Sequence, residues 1–160
     1  MKFQFNDGGR SIAEFTGNAR DCVTRAIAIA TGLSYREVYD SMAKVNECFR
    51  SKKRVSYGRR TARNGIAVRS KAFKDYMHSL GWFYTATMGI GTGCKVHLRE
   101  DELPKGNLIV QVSKHMTAVI DGVIHDTHDP QRIAMAHTES DLEDLNGSRC
   151  VYGYWSKGSP

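Results

Sequence analysis

The pattern of apolar and polar positions changes near the middle of the chain. Residues 23–31, VTRAIAIAT, are apolar almost all round, which predicts a short helix buried on most of its surface, with Gly32 closing it in a left-handed cap. Ser34-Tyr35-Arg36-Glu37 has the serine-to-glutamate spacing of a capping box. Val38, Met42, Val45 and Phe49 then follow at intervals of four, three and four, one stripe of a second, amphipathic helix. A third helix is predicted over about 66–80, with Val68, Phe73, Tyr76, Met77 and Leu80 on its apolar side and Gly81 as its stop.

Beyond Gly81 the period drops to two. Residues 82–87, 108–112, 115–120, 123–128 and 149–155 read as strands. MGIGTGCKVHL reads as a glycine-punctuated loop entering a short strand, and HTESDLEDLNGS as an acidic turn or short helix. Helices first and an antiparallel sheet second is an α+β arrangement. At 160 residues the expectation is one domain over 1–160, helical over about 18–80 and sheet over about 82–156.

Asp121-Gly122 is a two-residue hairpin signal, and it fixes a register. Ile120 then faces Val123, and opposed residues have numbers that sum to 243. His115 falls opposite His128 and Thr117 opposite Asp126, all four on one face. Asp126 becomes the diagonal neighbour of His115, at a Cβ separation of roughly 7 Å. His125 and Asp129 point the other way in this register. Two histidines on one face are too few to hold a zinc ion, so no metal or cofactor is expected.

This frame gives Cys22 a context. It stands where the polar loop GNARD hands over to the buried helix. A helix N-terminus lowers a thiol pKa, an imidazolium lowers it further and later protonates the leaving group, and a carboxylate orients the imidazole. Cys22, His115 and Asp126 are therefore the candidate nucleophile, general base and acid, and orienting group. Asn18 is a candidate oxyanion donor, and equally a candidate N-cap of the helix.

The chain order (a cysteine opening the central helix, then a strand histidine, then an acid on the next strand) resembles papain-like cysteine peptidases. Compact bacterial versions such as cell-wall amidopeptidases and bacteriocin-leader-processing peptidases are the most similar. The segments DCVTRAIAIATGLSYREVY, LPKGNLIVQVSKHMTAVIDGVIHDTHDP and VYGYW also resemble a group of small proteins of bacteriophage genomes. The resemblance implies a papain-like fold and a thiol hydrolase or acyltransferase acting on an amide, isopeptide or thioester, in the host cytoplasm if phage-encoded. Where papain-like enzymes place an oxyanion glutamine this chain has Thr16. Leader-processing peptidases carry their acid before a proline, which makes Asp129, before Pro130, the second choice to Asp126.

Charge adds a second candidate. The net charge is +6, but residues 49–76 carry +9 and the remainder −3. A basic patch of Lys52, Lys53, Arg54, Arg59, Arg60 and Arg63 in a predicted loop suits nucleic acid or an acidic host protein; as a bland alternative it is a solvated surface. Three classes of function stay open: a cysteine hydrolase, a non-catalytic module binding through the basic segment, and a protein that captures a host factor by surface complementarity.

The four cysteines, Cys22, Cys48, Cys94 and Cys150, form no CxxC pair, and MKFQFNDGGR has no apolar signal-peptide core. The expectation is a cytoplasmic protein with reduced thiols, no membrane span, and Cys48, Cys94 and Cys150 used in packing.

Overall fold

The computed structural model describes residues 1–49, 61–131 and 149–158. Among them are three helices and six strands in the order β1 (Lys2–Phe5), α1 (Cys22–Thr31), α2 (Tyr35–Cys48), α3 (Lys71–Ser79), β2 (Trp82–Ala86), β3 (Asn107–Val112), β4 (His115–Ile120), β5 (Val123–Asp126) and β6 (Val151–Lys157). The strands make one sheet ordered β1-β5-β4-β3-β6-β2. The class is α+β, as the pattern predicts.

Alternation along the strands divides the core. Ile109, Met116, Ala118, Trp82 and Trp155 face the helices and pack with Ile27, Val38, Met42, Phe73 and Met77. The intervening Leu108, Val110, Val112, Val119 and Ile124 face the other side, covered by Leu98 and Leu103 from the connection before β3. Each fully buried large apolar side chain contributes about 1.5–3 kcal/mol. A register shift between Gln111 and Val112 lets Val151 and Trp155 of one strand serve opposite faces.

Helix α1 lies against β3 and β4. Its carbonyl end is fixed where β3 begins, because Asn107 Nδ2 donates to Ala30 O at 2.9 Å. Its N-terminus therefore points to the opposite end of these strands, where the β3–β4 hairpin turns through Ser113 and Lys114. Gly32 takes the left-handed cap, φ 76°, with its N–H on Ala28 O.

Four expectations are corrected. The sheet is mixed: β1, which the sequence pattern does not reveal, pairs parallel with β5. Helix α3 starts at Lys71, capped by Ser70, and not near 66, because Asn46 captures the preceding backbone. Its amide donates to Thr61 O and Gly65 O at 2.9 Å each, and its Oδ1 accepts from Ala67 N at 3.0 Å. The glycine-rich loop leads into no strand; it makes a single bridge, His97 to Cys150. Cys94 and Cys150 are not separate packing thiols but a disulfide that ties this loop to the start of β6. Cys48 is free and exposed at the end of α2. The predicted acidic turn at 137–148 lies outside the described residues. No described helix is long and apolar enough to cross a membrane.

Candidate active site

The hairpin after β4 has the predicted register, with Ile120 on Val123, Val119 on Ile124 and Ala118 on His125. Asp121 and Gly122 both take positive φ, 46° and 83°, the backbone that an Asp-Gly turn supplies. His115 begins β4 and Asp126 ends β5, so both stand at the end of the sheet where α1 starts. His115 Nε2 and Asp126 Oδ2 are 2.7 Å apart. The other Asp126 oxygen accepts from Thr127 N at 2.7 Å, and its side chain is 4% exposed. The ring of exposed His128 lies 4.9 Å from that of His115, as the register requires. His125 sits on the opposite face. Asp129 does not serve His115: its Oδ1 accepts from Gln131 N and Nε2.

Cys22 is the first residue of α1 and packs partly buried against the helix-side core. Burial pushes its thiol up, but a hydrogen bond to His115, the His115 charge, the Met116 backbone N–H and the Arg25 charge outweigh burial and hold it below the ordinary value. His115 moves the opposite way. Burial lowers it, while hydrogen bonds to Asp126 and Cys22 and the charges of both raise it, from 6.5 to about 9. Asp126 is lowered despite its burial, chiefly by the His115 hydrogen bond and charge. All three shifts favour thiolate, imidazolium and carboxylate in sequence.

The N-cap of α1 is Asp21, not Asn18, and Asp21 makes no side-chain cap. Its carboxylate, 1% exposed, instead accepts from Tyr35 Oη at 2.5 Å, pairs with Arg10 Nε at 3.1 Å, and contacts Arg25 Nη1 more closely still. Among the described residues, the N–H groups of Cys22, Val23 and Thr24 thus have neither an intrahelical acceptor nor a side-chain cap. The spacing DCVTR, an aspartate with an arginine four residues on, is the sequence signal that points to this cluster.

Arginines also hold the loop that leads into Cys22 by its carbonyls. Arg36 donates to Ala13 O at 2.8 Å, Arg10 to Thr16 O at 3.1 Å and Gly17 O at 2.9 Å, and Arg63 Nε to Asn18 O at 3.2 Å. Asn18 itself is exposed. Of the predicted basic patch, Lys52, Lys53, Arg54, Arg59 and Arg60 lie outside the described residues; Arg63 stands beside the loop before Cys22. An open cavity lined by Ala30, Thr31, Trp82, Asn107, Tyr154 and Lys157 lies at the far end of α1 from Cys22. The described residues hold no group of three or more histidine, cysteine or acidic side chains arranged to bind a metal ion. No family model, no curated protein and no solved structure matches the chain.

Proposed function

We propose that this protein is a cysteine hydrolase or acyltransferase of papain-like type that attacks amide, isopeptide or thioester carbonyls through Cys22. The observation that carries the reading is His115, whose Nε2 lies 2.7 Å from the buried Asp126 carboxylate and which is the chief influence lowering the thiol that opens α1. A buried cysteine needs no such partners for packing, and the papain-like chain order adds support.

In the reaction, the Cys22 thiolate attacks the acyl carbon and the carbonyl oxygen takes up the negative charge. The Cys22 N–H, uncapped at the first turn of α1, is placed to donate to that oxyanion. The His115 imidazolium gives its proton to the departing amine or thiol, which leaves as the neutral species with the bonding pair. The acyl group is now a thioester on Cys22. Water, or an acceptor amine, attacks it; His115 takes the proton of that nucleophile, the acid or amide departs, and the thiolate returns. Asp126 keeps the ring oriented and stabilises its charge throughout.

The test is to incubate the protein with a small panel of activated acyl esters and thioesters and to follow the Cys22 peptide by mass spectrometry. The expected result is a transient, hydroxylamine-sensitive acyl adduct on Cys22 with release of the leaving group, and neither in Cys22→Ala. Release at the same rate in Cys22→Ala would refute the reading.

A further inference from the structure

Cys22, His115 and Asp126 are only part of a longer chain of ionisable groups. Asp126 Oδ2 faces His115, while Oδ1 takes Thr127 N and lies 3.8 Å from Arg25 Nη2. Arg25 belongs to α1, one turn past the nucleophile, and its other terminal nitrogen is on Asp21, the residue just before Cys22. Its side chain is 12% exposed, between carboxylates 1% and 4% exposed. Signs alternate along the path: Asp21 negative, Arg25 positive, Asp126 negative, His115 positive, Cys22 negative. The groups facing it from neighbouring elements are Arg10 from the loop after β1, Tyr35 from α2 and His128 after β5. The planar fork of an arginine can engage two carboxylates from one position, which an ammonium on a flexible stem cannot do as well.

We propose that Arg25 is a positioning residue of this site: held between Asp21 and Asp126, its guanidinium fixes which carboxylate oxygen faces His115 and sets the charge beside the Cys22 thiol. The inference rests on the reading of Cys22, His115 and Asp126 as a catalytic group. Arg25 also keeps a buried Nε–H with no acceptor among the described residues, so its orientation follows its two carboxylate partners and not a full set of hydrogen bonds. Its charge is one of the influences that lower Cys22.

The test is the pH profile of Cys22 alkylation by iodoacetamide in the full chain. Arg25→Gln alone strands Asp21 with one fewer cation and can cost the fold, so the substitution is also made on Asp21→Asn and read against Asp21→Asn by itself. The expected result is a rise of about one unit in the apparent Cys22 pKa on loss of Arg25, with labelling about tenfold slower below it. Arg25→Lys should recover most of the charge effect. A purely structural role would move melting temperature and leave the profile in place. An unchanged profile in folded Asp21→Asn/Arg25→Gln, with His115→Ala still shifting Cys22, overturns the role of Arg25 alone. If His115→Ala also leaves Cys22 unmoved, the catalytic reading fails and this inference with it.

Discussion

Helices α2 and α3 begin in one way and α1 in another. Ser34 accepts from Glu37 N at 3.3 Å and Ser70 from Phe73 N at 3.1 Å, so each serine satisfies a donor of the first turn. At α1 the equivalent residue is an aspartate, a good cap by type, yet its carboxylate turns away to Tyr35, Arg10 and Arg25. The first two helix starts spend their N-terminal residue on local stability. The third leaves its N–H groups open beside a thiol and uses its carboxylate to hold cations around the site. An uncapped helix start forgoes about 1 kcal/mol, and its persistence beside Cys22, His115 and Asp126 is what the proposed chemistry requires.

The contrast can be broken most forcefully at Asp21. Asp21→Ala removes the common partner of Arg10 and Arg25, and breaking a buried charge cluster from one side costs about 3–5 kcal/mol. Urea unfolding should show that loss; a change under 1 kcal/mol would mean the carboxylate does no more than a serine cap.

Acidity offers a second, smaller handle. His115 has a folded pKa raised to about 9, so the folded state holds its proton more tightly than the unfolded chain does. The resulting stability is fully present below about pH 6.5 and is lost as pH rises through the folded value. The lowered Cys22 pKa acts in the reverse direction, being lost as pH falls, so the measurement belongs in Cys22→Ala. There the Asp126 hydrogen bond and charge are the influences left to raise the imidazole against its burial. The expected outcome is an unfolding free energy that falls by about 1–2 kcal/mol between neutral and alkaline pH. Asp126→Asn in the same background should flatten that slope; an equal slope would place the titration elsewhere.

The smallest effects belong to the capped helices. Ser70→Ala should cost about 1 kcal/mol in the same unfolding measurement, and exposed Ser34→Ala about half of that, with Cys22 reactivity untouched in both. A change in Cys22 reactivity with either would erase the distinction between the helix starts.

Local signals carried much of this architecture. The Ser34 cap and the apolar stripe of α2 are short-range features, and Asp121-Gly122 set a register that put Asp126, and not Asp129, beside His115. What stayed hidden depends on distant partners. Phe3 and Phe5 of β1 are exposed and show no core pattern, and the strand exists because residues 123–126 lie beside it. The Cys94–Cys150 disulfide spans a separation of 56 residues, which spacing cannot pair. Ile66 and Ala67 are buried, so their apolarity extends the predicted helix, but Asn46 holds the backbone before Ala67 in a non-helical path. Asn18 is a cap candidate by residue type alone, and it is Asp21 that adjoins the first turn.

The most direct test of the influence of His115 on Cys22 is Cys22 alkylation by iodoacetamide from about pH 4 to about pH 9, read by mass spectrometry with exposed, free Cys48 as the internal reference. The account predicts selective labelling of Cys22 with an apparent pKa well below the unperturbed value of ~8.5, and a return to an ordinary thiol in His115→Ala. A Cys22 that titrates like an unperturbed thiol, unchanged by His115→Ala, would contradict it.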